Sequence, residues 1–368
     1  MSRLNEWLRG IRVLDLSRYI PGPLATMLLA DFGAEVLKIE APDGDEMQHL
    51  GPRDAAGQPV FYPSVNGGKA VRRMNLKEVA QRAEFLRLVE SADVLLESFR
   101  PGVMAKLGLG YDTLSKINPR LVYCALSGYG ARGPLAQEAG HDSNYLALTG
   151  VLFRNGGGSP NYFDPPICDN VGALFAVIAI LGALKGRERD GKGCEIDTGL
   201  ADSIWPLQTF QVADYGARGY SPGPEETYLN GGAAWYRIYR TRDGRHVALG
   251  TAGDKFWERF CAAAGRPDWV ARGTEPMPQR ALIEEIQAFL SGLTLDECMA
   301  RFGPADCCFT PVLNLAEAVE SEHTRARQLV HRAASGALQA LFPAWVNGEP
   351  PAARAPLRNT GTGFENES

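Results

Sequence analysis

His141 and Asp169 are the residues of this chain whose types and placement suit acid–base or nucleophilic chemistry. His141 lies between a glycine and Asp-Ser-Asn-Tyr, downstream of the apolar run Leu121–Leu126. If that run is a strand of a parallel sheet, His141 follows its carboxyl end, where α/β folds place their ligands. Histidine is the usual base near neutral pH, although a lone loop histidine is also an ordinary surface residue. Asp169 stands directly ahead of the long apolar run Val171–Leu184. An aspartate there is either a helix cap or an anion held between a positive helix end and an apolar wall, fit to act as nucleophile or base. Of the other four histidines, three read as structural: His246 in a hairpin strand, His323 and His331 in a polar helix. Lys38, Arg72, Arg73, Lys77, Arg100 and Lys106 follow strand ends or begin helices. They are either solvated or gathered on a phosphate-bearing ligand at one sheet edge.

The elements that must position these groups alternate in type. Ile11–Leu16, Glu35–Ile39, Asp93–Glu97 and Leu121–Leu126 are short apolar runs that predict buried strands. Between them, Leu24–Phe32, Glu78–Ala92, Val103–Leu107 and Tyr111–Ile117 carry helical spacing. Such alternation implies parallel βαβ units in a Rossmann-like α/β layer. No GxGxxG follows the first strand, and neither Walker-A spacing nor a GxSxG elbow is present, so nicotinamide, flavin and serine-hydrolase readings lose support. Residues 171–186 predict a buried helix, Cys194–Thr198 a strand and Asp202–Tyr215 a helix. Beyond these the pattern changes. A hairpin pairs Tyr236–Tyr239 with His246–Leu249, helices follow at Lys255–Ala264, Arg280–Leu290 and Leu295–Phe302, and Cys308–Val312 predicts a further strand. The expected organisation is a large domain over 1–224, a smaller α+β domain over 225–320, and a segment, 321–368, that returns to the large domain. The proline-rich tail after Glu349 is expected on the surface, and Asn155–Ser159 as a surface loop or lid.

The 368 residues are 45% hydrophobic and 22% charged, with net charge −5. This is the composition of a soluble globular protein, and it gives no footing for nucleic acid. Seven cysteines without CxxC or Cys/His metal spacing fit reduced thiols in a cytoplasmic setting and no metal site. The run Val171–Leu184 is shorter than the roughly 20 residues a bilayer demands, so no membrane is expected.

Longer stretches carry a resemblance. "LDLSRYIPGPLATMLLADFGAEVLKIEAP", "ADVLLESFRPGVMAKLGLGYDTL" and "NPRLVYCALSGYGARGP" resemble the class III CoA-transferase (CaiB/BaiF) superfamily. "AGHDSNYLALTGVL", "NGGAAWYRIYRTRDGRHVALG" and "DCCFTPVL" are similar to its α-methylacyl-CoA racemase branch. The likeness runs over residues 8–355. It implies a large domain built from both chain ends, a small domain, and two chains interlocked as a homodimer. It also implies an acyl-CoA substrate, with coenzyme A brought in as part of that substrate and no metal or redox cofactor. By the same likeness Asp169 is the catalytic carboxylate and His141 the racemase histidine. Coenzyme A contacts fall near Asn75, Lys77, Ser98 and Lys106, with Tyr145 in the same pocket.

Some positions depart from the pattern. Gly253 stands where the racemase branch has a glutamate, with Asp254 next to it; Ala41, Ile20 and the short Gly231-Gly232 depart from the formyl-CoA transferase type. The resemblance therefore implies either of two reactions. In the first, a 2-methylacyl-CoA is racemised by α-proton exchange between His141 and Asp169, with amides at the start of the 170–186 helix on the enolate oxygen. In the second, coenzyme A moves to a carboxylic acid acceptor through an Asp169 anhydride and thioester. A protein that binds an acyl-CoA without catalysis is a third reading.

Overall fold

The structure, a computed structural model, describes residues 3–155, 157, 160–333 and 336–364. The chain forms two compact units. One comprises the chain up to Thr149, Phe163–Thr209 and the chain from Glu322; the other comprises Gly150–Tyr162 and Phe210–Ser321. The division thus falls at Thr209, earlier than the expected 224, and Gly150–Tyr162 crosses to the second unit. Local bonds account for this, since Asn230 Nδ2 donates to the Arg154 carbonyl at 3.2 Å.

The first unit is built on β1 (Arg12–Leu16), β2 (Glu35–Glu40), β3 (Ala70–Arg73), β4 (Val94–Glu97), β5 (Val122–Ser127) and β6 (Cys194–Gly199). The second unit holds β7 (Tyr236–Arg240), β8 (His246–Gly250) and β9 (Phe309–Pro311). The C-terminal segment adds the β10 (Val330–Arg332) and β11 (Leu338–Ala340) hairpin and β12 (Arg358–Asn359). His331 is therefore a strand residue, not a helical one. It pairs with Gln339, and only His323 is helical, in Glu322–Arg327.

The large sheet has the order β12-β3-β2-β1-β4-β5-β6, and every neighbouring pair is parallel. β1, β2, β4 and β5 are short and apolar because both faces of the sheet are covered. Strand order reverses beside β1, so a crevice opens outside the carboxyl ends of β1 and β4. The helix Pro21–Asp31 starts with Pro21 in its first turn, as a fixed φ allows. A Cβ on Gly22 would sit 2.1 Å from the Ser17 Cβ, so only glycine lets this helix approach the end of β1 so closely.

The tail keeps the expected surface course, largely exposed, but is pinned along it. β12 pairs with β3 as a seventh strand, and the Arg354 guanidinium grips Asp31 through two bonds of 2.7 Å. Asp31 ends the first helix, where a carboxylate opposes the helix dipole unless it is paired. The helix expected over Asp202–Tyr215 is a 3-10 stretch over Asp202–Gln208 that contains Pro206, followed by an α-helix from Thr209 to Arg218.

The long helix runs from Ile167 to Asp190. By length and composition alone it is apolar enough to cross a membrane. Here Ala173, Ala176, Val177, Ile180 and Leu184 are buried against the unit, while Leu174 and Ile178 are exposed, so the helix is buried on one side only. Gly172 packs on Leu200, whose Cδ2 would lie 2.4 Å from an added Cβ. The second unit sets the antiparallel sheet β7-β8-β9 against the helices Asp254–Ala264, Arg280–Leu290 and Leu295–Phe302. Its core stacks Phe260 between Trp257, Trp269 and Phe302.

Candidate active site

Two features occupy the carboxyl edge of the large sheet. The first is a cavity of about 290 Å³ at the exits of β1, β2, β3 and β4, lined among others by Arg18, Lys38, Asn75, Lys77 and Phe99. Ser98 Oγ accepts from the Arg18 amide at 3.0 Å and ties the loop after β1 to the loop after β4. Asn75 fixes the next turn: its Oδ1 accepts from the Lys77 amide at 3.2 Å, and its Nδ2 donates to Glu78. Lys106 is exposed on the short helix Val103–Lys106, whose neighbours Val103 and Leu107 line the cavity.

Several cations expected at this edge are already committed. Lys38 is fully buried, donates to the Ser17 carbonyl at 2.7 Å and pairs with Asp45 at 3.0 Å. Arg72 pairs with Glu84 and Arg73 with Glu40. Arg18, a wall residue that the sequence did not single out, lays its guanidinium 5.5 Å from the Phe99 ring centre.

Beneath the cavity floor lies a charged core at the end of β1. Fully buried Asp15 accepts from Lys69 Nζ at 3.0 Å, Thr26 Oγ1 at 2.6 Å, and both the amide and the hydroxyl of Ser17. Burial raises its proton affinity, but Lys69, Lys38 and the hydroxyls outweigh this and hold it well below the usual carboxylate range. Burial pushes Lys69 down to about 8, against the pull of Asp15.

The second feature is the corner where residues 141–145 meet 167–169. The helix Asp142–Leu148 begins with His141 as its cap residue, and the His141 amide is fixed by Asn144 Oδ1 at 3.0 Å. His141 is an exposed residue. Asp169 is not a cap: it is the third residue of its helix, and the capping position is Pro166. The orphan amides of that helix are taken by Asp142, whose Oδ1 accepts from Cys168 at 2.6 Å and Asp169 at 3.2 Å, with Ile167 bonding the same carboxylate. The Asn170 amide is also spent, on the Pro166 carbonyl. The first-turn amides expected to hold an enolate oxygen are therefore engaged within the protein.

The arrangement frees the Asp169 carboxyl from capping duty. Burial, and then the neighbouring Asp142 carboxylate, push it up to about 6. Asp142 is itself raised by burial, which its three amide donors offset only in part. Tyr145 does not line the cavity at the exits of β1–β4. It is buried beside Asp169, donates to the Gly140 carbonyl at 2.5 Å, and meets Tyr129 edge-on at 5.0 Å. Gly128 and Gly140 leave room for these rings, since a Cβ on either would fall under 2.8 Å from a tyrosine atom.

Gly253 and Asp254 lie in the second unit. Gly253 holds φ at +115°, a conformation that a side chain resists, and Asp254 opens the following helix, exposed. Gly156, Gly158 and Ser159 of the expected 155–159 loop lie outside the described residues. Among the described residues no group of three or more His, Cys, Asp or Glu side chains is arranged to hold a metal ion.

Known proteins share this architecture and sequence. A structure described as a CaiB/BaiF family protein from Brucella suis superposes with a TM-score of 0.82 at 27% identity, covering 95% of both chains. The human α-methylacyl-CoA racemase is 34% identical over 324 residues, covering 87% of this chain and 81% of the human protein. The acetyl-CoA:oxalate CoA-transferase of Acetobacter aceti is 32% identical, covering 92% of this chain and 89% of that enzyme. The profile of CoA-transferase family III matches residues 8–361. With this family's pattern running over residues 8–361 and relatives above 30% identity along most of their length, the chain belongs to CoA-transferase family III.

Proposed function

We propose that the protein racemises a 2-methylacyl-CoA by moving the α-proton between Asp169 and His141. The observation that carries this reading is the Asp169 carboxyl, lifted to about 6 while Asp142 takes over the capping of its helix. A base that exchanges a proton in both directions works best with an affinity near the operating pH, and imidazole chemistry belongs to the same range. Asp142 is a positioning residue in this scheme: it holds the first turn that carries Asp169 and raises the Asp169 proton affinity. The coenzyme moiety lies in the cavity at the exits of β1–β4, where Asn75, Lys77 and Ser98 stand at the wall or just behind it, and Lys106 borders it. The 34% identity to the human racemase supports the reaction class.

CoA transfer is the second reading, favoured by the 32% identity to the oxalate transferase. Asp169 would then attack the thioester carbonyl and expel the thiolate as a mixed anhydride forms. The thiolate attacks the Asp169 carbonyl, releasing the donor acid and leaving an Asp169–CoA thioester. The acceptor carboxylate displaces the thiolate from it as a second anhydride, and the thiolate attacks the acceptor's acyl carbonyl to give the new acyl-CoA and free Asp169. We propose further that the protein works as a homodimer in the cytoplasm. Exposed Leu174 and Ile178, one turn apart on the long helix, supply apolar surface for the second copy.

The test is chiral analysis of a single-handed 2-methylacyl-CoA after incubation, with transfer to labelled carboxylic acids scored in parallel. The proposal expects loss of handedness without an acceptor, abolished by Asp169→Ala and by His141→Ala. Acceptor-dependent transfer with handedness retained, lost in Asp169→Ala and merely slowed in His141→Ala, would establish the second reading instead.

A further inference from the structure

A second cavity, of about 300 Å³, opens on the sheet face at the carboxyl ends of β4 and β5. Its chemistry differs from that of the coenzyme cavity. Glu97, Glu195, Asp112, Tyr111, Tyr123 and Ser127 contribute to its wall, and no lysine, arginine or histidine does. Glu97 is buried at the end of β4. It accepts from the Phe99 amide at 2.7 Å and the Tyr123 hydroxyl at 3.2 Å, which leaves lone pairs on both oxygens. Ser127, 7% exposed, has a buried hydroxyl oxygen with no hydrogen-bond partner, although it too lies on the wall. A buried hydroxyl left unpaired is costly, so its place on a cavity points to a ligand that completes it. Tyr111 and Tyr123 lie 6.0 Å apart between ring centres and present π surface, which favours positive charge. Glu195 and Asp112 add negative charge at the exposed side.

We propose that this cavity binds a small monovalent organic cation, a protonated primary amine whose N–H groups reach Glu97 and Ser127. The aromatic walls take its alkyl part. Burial, with Glu195 adding to it, raises Glu97 to about 7. The groups facing it are Tyr123 of β5, Glu195 of β6, and Asp112 and Tyr111 of the helix Tyr111–Ile117, while β1 sets Leu16 opposite it. Binding an ammonium therefore expels the Glu97 proton and strengthens as pH rises.

Calorimetric titration of the whole protein with n-butylammonium, butan-1-ol and potassium, from pH 6 to 8, tests this. Saturable binding of the amine alone is expected, weakening about tenfold per pH unit below 7 as one proton is displaced. Glu97→Gln is expected to weaken binding by about tenfold to a hundredfold, the scale of one charged hydrogen bond, and Ser127→Ala by a smaller factor. Should Glu97→Gln fail to fold, the pH profile and Ser127→Ala decide. Equal binding of the alcohol, a pH-independent affinity, undiminished binding by either folded variant, or no saturable binding of the amine would overturn the proposal.

Discussion

Asp169 shows how the proton affinity of a carboxylate is raised by its place in the fold. Its helix needs an acceptor for three amides, and Asp142, 27 residues earlier, supplies it. Asp169 is thereby half-buried, unspent and next to a like charge. Because its folded proton affinity exceeds its ordinary one, the folded state binds the extra proton between about pH 4 and 6, and stability falls as pH rises through that window. Asp169→Asn should therefore abolish turnover, raise the melting temperature at pH 7 and flatten stability between pH 4 and 6. Thermal melts across that range check this. Asp142→Asn keeps an acceptor for the amides but removes the charge, so the acid limb of the pH–rate profile should move to lower pH. Asp142→Ala also loses the cap, at a cost of about 1–2 kcal/mol. Asp142 was not legible in the sequence, because nothing local ties it to the start of a helix a full loop away. Asp169 was legible as a candidate, although the cap of its helix lies three residues earlier, at Pro166.

Elements were legible where hydrophobic pattern and local rules agree. Helices such as Arg280–Leu290 and Leu295–Phe302 fall where their spacing puts them. β3 and β12 were missed because Ala-Val-Arg-Arg and Arg-Asn are short and largely polar, and they gain strand form only by pairing with β2 and with each other. Lys38 and Arg72, open in the sequence to solvation or to a ligand, are ion-paired within the protein, since sequence does not show that Asp45 and Glu84 claim them. The buried network below β1 is an element-scale device, for it locks β1, the first helix and the end of the loop before β3 together. Lys69→Met leaves Asp15 charged and unpaired, and should cost about 3–5 kcal/mol. Adding Asp15→Asn should recover part of that loss, as urea midpoints would show. Gly22→Ala should cost about 1–3 kcal/mol by overpacking against Ser17 and weaken coenzyme A binding at the adjacent cavity, measurable by titration.

For the whole molecule, the parallel order of the large sheet sets where chemistry can occur. A reversal beside β1 makes the crevice, and the long helix running back toward β6 delivers Asp169 to the carboxyl edge. The chain closes this unit with its own C-terminal segment through Arg354 and Asp31. Arg354→Ala should cost about 3 kcal/mol, leaving a buried carboxylate at a helix end, and should expose the segment after Pro350 to limited proteolysis. The central claim concerns the α-proton, so the most direct test follows that proton. The protein is incubated in D₂O with a 2-methylacyl-CoA and no carboxylic acid acceptor, and the α-position is followed by NMR. The account predicts enzyme-dependent exchange of the α-proton for deuterium together with loss of optical purity, both absent in Asp169→Ala. Full retention of the α-proton across several 2-methylacyl chains, in protein that still binds coenzyme A, would contradict it.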